Sequence, residues 1–307
     1  MKIATFNLRN LFAAGEHKIF DELVTYTNEL LEQRLEQAAA TISELDADII
    51  VVNEIGSAEV LKTIAGKLPG KYYSFMATPE SRGIANGILY RDEQASCKSF
   101  CLSPSLPLFI ASASEPYVGQ LKSYREIIHF ITIYAGRPLH VLGLHLKSPV
   151  FTPLKNNQEG KVNEPTSQTE TSDGIIRSNI RRLAEARALR LVLDQMFSAD
   201  NNLQVIVTGD FNDTETSATL RAIKGESDLF PERLTNVCER IPQAKRYSIV
   251  EGDYQRLIDH VLVSKSLVEQ VLSVEIKNDN LQDQDAEPNS AYLIDSDHAP
   301  IVVELKD

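Results

Sequence analysis

Cysteine and long apolar runs are the scarce features of this 307-residue sequence. The three cysteines are an odd number and include no Cys-X-X-Cys pair, which argues against a disulfide framework and against a zinc site. No apolar run is long enough to cross a membrane, and the amino-terminal residues do not have the pattern of a secretory signal peptide. We therefore expect a cytoplasmic protein without a membrane segment.

Three common catalytic motifs are also absent. The sequence has no Gly-X-Ser-X-Gly, no P-loop and no Gly-X-Gly-X-X-Gly in a strand-to-helix context. These absences count against a serine hydrolase, a P-loop NTPase and a dinucleotide-dependent enzyme. Positive charge is scarce as well, since the formal net charge is -12 at pH 7. Such a protein does not coat nucleic acid through its whole surface, although a local basic groove stays compatible with this charge.

The remaining composition, 43% hydrophobic and 24% charged, is that of an ordinary globular protein. The length fits one large domain or two small ones, and no linker or internal repeat is visible. We therefore predict one domain over residues 1–307. Two polar segments, residues 148–175 and 277–291, are predicted to be long loops, which in a compact domain serve as functional lids or are disordered insertions.

Short β-rich runs recur along the chain, and helical patterns separate only some of them. Apolar spacings of three and four predict helices over residues 28–45 and 175–197, and Ser57 is a candidate cap for another helix. Thr214 or Thr216 is predicted to begin a further helix. Because helices do not alternate strictly with strands, the pattern predicts a mixed sheet system with outer helices.

Polar residues that can do chemistry lie at the ends of several predicted strands, where loops build sites on a rigid frame. The set comprises Asn7, Glu54, His145, Asp210, Asn212, Asp259, Asp297 and His298. Each has a local explanation: a strand terminator for Asn7, for example, or an Asx turn for Asp210 and Asn212. One shared site at these strand ends is the more economical interpretation.

The cluster after residue 209 has some features of a calcium loop, because Asp210, Asn212 and Thr214 alternate. A calcium loop needs Gly at its sixth position and Glu at its twelfth. Here those positions hold Glu215 and Arg221, so we reject a calcium loop.

The carboxylate and amide residues of the set are hard oxygen ligands, which suit Mg²⁺ and also Mn²⁺. The histidines, His145 and His298, can exchange protons or stabilise phosphate charge. Asp259 is a candidate partner for one of them, because an Asp–His hydrogen bond fixes the tautomer. Metal-activated hydrolysis of a phosphate ester uses all of these groups.

The stretches TFNLRNLF, VVNE, LHLKS, VTGDFND, LIDHVLVS and SDHAPIVVEL occur in this order from near residue 3 to residue 305. In this order they resemble the endonuclease/exonuclease/phosphatase superfamily, whose members include DNase I-like nucleases. The resemblance implies an α/β (α+β) fold, a four-layered α/β sandwich with two mixed β-sheets packed face to face and flanked by helices.

The resemblance also implies roles for the individual residues. Glu54 would be the main Mg²⁺ ligand, with Asn7 and Asp297 close to the ion. Asp210 and Asn212 would position the attacking water and the scissile phosphate. His298 would be the general base or a stabiliser of phosphate charge, oriented by Asp259, and His145 would contact the phosphate or help the leaving oxygen depart. Softer candidates for phosphate contact are Arg125, with Tyr124 as a rival, and Lys147.

The substrate stays open at this point, because the site is shared across very different esters. The short forms LHLKS and FNLRNLF favour a nuclease that hydrolyses a phosphodiester. Arginines crowd the predicted helix over residues 175–197, where they could track nucleic acid phosphates, or form a solvated face: Arg177, Arg181, Arg182, Arg187 and Arg190. The alternatives are a phosphomonoesterase, a small-molecule phosphodiesterase for a nucleotide or inositol phosphate, and a non-catalytic binding scaffold. Oligomeric state is not readable from the sequence.

Overall fold

The structure is a computed structural model that describes residues 1–19, 22–102, 108–111, 116–119, 125–152, 165, 167–227, 230, 232–281, 283 and 294–306. Its helices are α1 (Asn28–Leu45), α2 (Ala58–Lys67), α3 (Gln168–Ala199), α4 (Ala218–Lys224) and α5 (Lys265–Val268). Its strands are β1 (Lys2–Leu11), β2 (Gly15–Ile19), β3 (Glu22–Tyr26), β4 (Ile49–Ile55), β5 (Tyr73–Met76), β6 (Ala85–Tyr90), β7 (Ser96–Phe100), β8 (Leu108–Ala111), β9 (Pro116–Gly119), β10 (Ile127–Tyr134), β11 (Arg137–His145), β12 (Gln204–Asp210), β13 (Leu234–Asn236), β14 (Ile249–Glu251), β15 (Tyr254–Arg256), β16 (Asp259–Ser264), β17 (Val271–Ile276) and β18 (Ile301–Leu305).

Two six-stranded sheets form the centre of the molecule. The first has the order β17-β18-β1-β4-β6-β5, and the second has the order β13-β16-β12-β11-β10-β7. In each sheet one central pair is parallel, β1 with β4 and β11 with β12, and the other pairs are antiparallel. Both sheets are therefore mixed, as predicted.

Apolar side chains of both sheets meet in one core, which includes Ile3, Val51, Val141, Ile206 and Val303. The outer face of the first sheet packs against α1 and α2, and that of the second sheet packs against α3 and α4. These four layers confirm the predicted sandwich of two sheets flanked by helices.

Helix boundaries follow the capping residues. The hydroxyl of Thr27 accepts a hydrogen bond from the Leu30 amide, and α1 covers the predicted residues 28–45. Ser57 caps α2 as predicted. The prediction that Thr214 or Thr216 begins a helix was wrong: Ser217 caps α4, while Thr214 lies in the preceding turn, where its amide binds the Asp213 carboxylate.

The predicted loop over residues 148–175 was too long, because α3 already begins at Gln168. Ser167 and Glu170 form the spacing of a capping box, and the Ser167 hydroxyl accepts from the Glu170 amide. The first turns of α3 are polar and mostly exposed, so apolar periodicity gave no sign of them. Residues 153–164 and 166 of this segment, and most of the predicted loop 277–291, lie outside the described residues.

In the part of the chain that the structure describes, every helix is either too short or too polar to cross a membrane.

Candidate active site at the meeting edge of the two sheets

The central parallel strands of both sheets end at one edge of the molecule. Asn7 lies opposite Asn53 where the regular pairing of β1 with β4 ends, and His145 lies opposite Asp210 at the ends of β11 and β12. The Asn53 side chain joins the two sheets, because its amide donates to the carbonyl of Leu144 at 2.9 Å and its oxygen accepts from the Asp210 amide at 3.2 Å. The antiparallel strand β16 begins there too, since Asp210 pairs with Asp259.

Gly209 permits the close approach of strands next to the site. Its φ of +138° is a conformation that side chains rarely allow, and a Cβ atom at this position would lie 1.9 Å from the carbonyl oxygen of Leu144. Only glycine fits here, which explains why the buried run ends in Gly209 immediately before Asp210.

The buried side chain of Asp210 contacts several other residues of the site. Its Oδ2 accepts from Asn7 Nδ2 at 3.0 Å and from Asn212 Nδ2 at 3.2 Å, while Oδ1 accepts from the Asn212 amide at 2.8 Å. The same Oδ2 lies 3.3 Å from His145 Nε2. Burial, with the nearby negative charges of Asp259 and Glu54, raises the pKa of Asp210 to about 7.

Glu54 faces Asp210 from the other sheet. It has a left-handed backbone with φ of 61°, which is uncommon outside glycine and marks a constrained position. Its Oε2 accepts from the Asn10 amide at 2.8 Å, and its Oε1 lies 3.7 Å from His145 Nε2. Glu54 and Asp210 therefore bracket the same histidine nitrogen.

The surroundings of His145 favour its neutral form. Burial, with the positive charges of Arg125 and Arg82, lowers its pKa well below the ordinary value for histidine. Among the described residues its Nδ1 has no hydrogen-bond partner. A neutral imidazole between two carboxylates is suited to contact a cation or a polar substrate atom.

His298 and Asp259 form a second pair at this edge, with 2.7 Å between His298 Nδ1 and Asp259 Oδ2. Burial opposes the charged ring, but the adjacent Asp259 carboxylate and its hydrogen bond raise the pKa of His298 well above the ordinary value. The Ser296 hydroxyl fixes the segment, since it accepts from the His298 amide and donates to the Asn7 carbonyl. Asp297 lies 3.4 Å from Arg9 Nε.

Within the described ranges, two groups of side chains have the spacing to hold a divalent cation: Glu54, His145 and Asp210, and Asp210, Asp259 and His298. Within each group the candidate ligand atoms lie within 4.8 Å of one another. The donor set fits such an ion, because the Glu54 and Asp259 carboxylates are close enough to Asp210 to oppose its ionisation. A bound cation would offset that repulsion.

A solvent-connected cleft of about 180 Å³ opens over this edge. Of the predicted residues, Glu54, Arg125, His145, Asp210, Asn212, Asp297 and His298 line it. Asn7 and Asp259 lie behind the lining residues and contact them. Lys147 does not line the cleft, because its ammonium group donates to Ser148 and to the Val150 carbonyl. Tyr124, the rival of Arg125, lies outside the described residues.

The arginines of α3 do not form one exposed basic face. Arg177 and Arg182 are buried, the former bonded to the Thr152 carbonyl and the latter to Asp213 and the Lys147 carbonyl. Arg190 donates to the carbonyls of residues 223 and 232. These three side chains fasten α3 to neighbouring segments, which weakens the sequence argument for a phosphate-tracking helix.

Several cleft residues were not singled out from the sequence. Asn10 contributes a backbone amide, which leaves no side-chain signal. Arg82 lies in a short turn without periodicity, and the hairpin β14–β15 forms one wall of the cleft. Asn53 was visible beside Glu54, but its role as a bridge between the sheets depends on the packing of β4 against β11 and β12.

Comparison with known proteins agrees with this architecture. The model of the Endonuclease/Exonuclease/phosphatase family matches residues 4–298. A mannosyl-6-phosphatase from Bacteroides thetaiotaomicron is similar in structure, with a TM-score of 0.57, 19% identity and 99% coverage of both chains. Truncated TDP2 from Caenorhabditis elegans has a TM-score of 0.60 and 12% identity, and the match covers 100% of this chain and 97% of the truncated one. A search of curated protein sequences gave no significant match.

Proposed function

The chain belongs to the endonuclease/exonuclease/phosphatase family, and on that premise we propose that it is a Mg²⁺-dependent phosphoesterase in which water attacks the phosphorus in line. The observation that carries the proposal is the position of Asp210, a buried carboxylate shared by the two side-chain groups described above. We expect Mn²⁺ to replace Mg²⁺, because both ions prefer hard oxygen ligands.

Glu54 would hold the proposed ion, with Asn7 and Asp297 close to it. Bound there, it would polarise the phosphate oxygens and neutralise part of their charge. The Asn10 amide holds one Glu54 oxygen, and Arg9 accompanies Asp297, so both carboxylates have fixed partners.

The chain's own residues supply the rest of the proposed reaction. Asp210 and Asn212 orient the water and the scissile phosphate. The water oxygen bonds to phosphorus, the ester P–O bond breaks, and the leaving oxygen takes up a proton from solvent and departs as an alcohol. Asp210 and His298 are the two groups placed to receive the proton of the water.

The histidines and Arg125 act on the phosphate in this proposal. Asp259 occupies Nδ1 of His298, which leaves Nε2 for the substrate. Where Asp210 is the base, His298 in its positive form stabilises the negative charge that grows on the phosphate, and this kind of interaction is usually the largest catalytic contribution. His145 contacts the phosphate or helps the leaving oxygen depart, and Arg125 contributes from the cleft wall. Lys147 would have to leave its present partners to take part.

A small phosphate ester is the substrate class that the cleft supports best. The net charge of -12 and the burial of Arg177 and Arg182 weaken the main arguments for a nucleic acid surface. One similar structure carries the name mannosyl-6-phosphatase. A nuclease acting on a phosphodiester is the second candidate, favoured by the short stretches LHLKS and FNLRNLF.

The proposal is tested by hydrolysis of bis-p-nitrophenyl phosphate and p-nitrophenyl phosphate with Mg²⁺, with Mn²⁺ and with EDTA. Phosphate release from sugar phosphates, mononucleotides and inositol phosphates is then compared with nicking of plasmid DNA. We expect turnover only with the metal, and faster release from a small ester than nicking. Nicking as the main activity would favour the nuclease. Absence of metal-dependent turnover on every substrate would support a binding scaffold instead.

A further inference from the structure

Arg34 is a buried cation on α1, and its guanidinium binds a stretch of backbone. Only 3% of the residue is exposed. It donates to the carbonyl oxygens of Leu8 at 2.9 Å, Arg9 at 2.7 Å and Asn10 at 3.3 Å, and also to the Tyr26 hydroxyl. The Tyr26 hydroxyl in turn donates to the Asn10 carbonyl at 2.8 Å. Three consecutive carbonyls are thus held by one side chain and its partner.

The backbone that Arg34 holds has an uncommon conformation. Arg9 and Asn10 are both left-handed, with φ of 48° and 49°, and neither is glycine. Such residues persist where surrounding contacts determine the conformation. The pairing of β1 with β4 is also irregular between Asn7 and Leu11. The hydrogen bonds from Arg34 to the carbonyls of Leu8, Arg9 and Asn10 hold this irregular segment.

The same segment contacts the proposed metal ligands. The Asn10 amide donates to Glu54 Oε2 at 2.8 Å, and Arg9 Nε lies 3.4 Å from Asp297 Oδ2. The Arg9 amide donates to Asn7 Oδ1 at 2.9 Å. A change in the Leu8–Asn10 backbone would therefore move partners of all three residues that are proposed to lie at the ion.

We propose that Arg34 is a positioning residue that sets Glu54 and Asp297 for the divalent cation through the backbone of Leu8–Asn10. This inference rests on the proposed function, since it concerns the same metal site. Arg34 itself does not line the cleft. A purely structural Arg34 would stabilise the fold without changing metal affinity, so affinity and stability must be measured separately.

The test is Mn²⁺ binding by isothermal titration calorimetry to the full chain, together with the thermal midpoint in EDTA and the KM and kcat of the metal-dependent reaction. The variants are Arg34→Met, Arg34→Lys and Tyr26→Phe. The matched control is Arg190→Met, because Arg190 also donates to two backbone carbonyls but lies on α3 away from the cleft. All proteins are compared at a temperature at which they are folded.

We expect Arg34→Met to weaken Mn²⁺ binding at least tenfold, with a rise in the Mg²⁺ concentration needed for half-maximal turnover. Arg34→Lys and Tyr26→Phe are expected to weaken Mn²⁺ binding at least threefold each. Arg190→Met is expected to lower the thermal midpoint but to keep Mn²⁺ affinity within twofold of wild type. If Arg34→Met does not fold, Arg34→Lys and Tyr26→Phe decide.

Wild-type Mn²⁺ affinity in every folded Arg34 and Tyr26 variant would overturn the inference and leave the proposed function intact. An equal loss of affinity in Arg190→Met would overturn it as well, because the loss would then follow from general destabilisation. A wild-type protein that binds no Mn²⁺ and hydrolyses no ester would overturn the proposed function and the inference together.

Discussion

The two sheets have the same architecture, but the backbone that carries the site residues is held differently in each. Each has six strands and a central parallel pair. At the end of β1 and β4 the left-handed residues are Arg9, Asn10 and Glu54, none of them glycine, and Arg34 holds the segment from outside the sheet. At the end of β12, Gly209 relieves the close contact and Asn212 folds back on Asp210. Arg34 of α1 holds the backbone of the first end, whereas the second end combines the local contacts of Gly209 and Asn212 with hydrogen bonds from Arg182 of α3.

This difference matters because the proposed site needs both ends. Glu54 comes from the first sheet and Asp210 from the second, and His145 Nε2 lies near both carboxylates. Asp210 and Asp259 lie side by side in the second sheet, but the group of Glu54, His145 and Asp210 forms only where the two sheets meet. The relative placement of the sheets is therefore part of the site, and the Asn53 bridge fixes that placement locally.

The largest effect on turnover is expected when either the Glu54 or the Asp210 carboxylate is removed. Glu54→Gln and Asp210→Asn should each lower kcat by about 10²-fold or more, in line with the loss of a charge-stabilising or acid/base group. Glu59→Gln, on the exposed first turn of α2, is the matched control and should retain wild-type turnover. Initial rates with p-nitrophenyl esters and Mg²⁺ measure this. Near-wild-type turnover in Glu54→Gln would contradict the metal-site assignment.

A smaller effect on turnover is expected when Asp259, the hydrogen-bond partner of His298, loses its charge. Asp259→Asn keeps the side chain in place but removes the charge that raises the His298 pKa, so that pKa should fall. Because the pKa of His298 is higher in the folded than in the unfolded chain, this residue stabilises the folded state at pH values below the ordinary histidine pKa. This stabilisation is lost as the pH rises through the pKa of His298 in the folded chain. Asp259→Asn should remove it.

The measurement is an NMR titration of the His298 ring in the metal-free wild type and in Asp259→Asn. Turnover of the variant should fall by about tenfold or more, at the low end of acid/base contributions. An unchanged His298 titration would show that Asp259 does not control this ring.

Glycine substitutions test the local organisation of the second end. Gly209→Ala should lower the free energy of unfolding by about 2 kcal/mol or more, because strained backbone and a backbone clash each cost on the order of 1–3 kcal/mol. Gly66→Ala is the control, since Gly66 is inside α2 with open space around a new Cβ atom. It should stabilise the protein by about 0.5–1 kcal/mol. Chemical denaturation measures both, and a neutral Gly209→Ala would contradict the close contact with Leu144.

The smallest expected effect concerns a histidine pair on the outer face of the second sheet, remote from the cleft. His129 Nε2 and His140 Nδ1 lie 2.9 Å apart. Burial, with the neighbouring charge of His140, lowers the pKa of His129 to about 4, and burial lowers that of His140. Because the unfolded chain binds protons at a higher pH than the folded chain, stability should fall as pH drops from about 6.5 towards 4.

In the double variant His129→Gln/His140→Gln, the free energy of unfolding should fall less with decreasing pH than it does in wild type. Urea denaturation at several pH values between 7 and 4.5 measures the slope, and an identical slope in the double variant would assign the acid response to other groups. Turnover at pH 7 should not change.

Much of the fold followed from local patterns. Apolar spacing located α1, and Ser57 marked α2, because a hydroxyl at a helix start satisfies an otherwise unpaired amide. The start of α3 was missed because its first turns are polar. Ser217 was missed as the α4 cap because several capping residues precede it in the same stretch.

The sequence by itself determined which residues end the strands and what chemistry they can do, because strand length and residue type are local properties. Only the tertiary structure decided which residues share the cleft. It brought Glu54 and Asp210 together from different sheets and placed Asn7 and Asp259 behind the residues that line the cleft. It also gave Lys147, Arg177 and Arg182 internal partners. These outcomes depend on how the sheets and helices pack at long range, and no single stretch of residues encodes that packing.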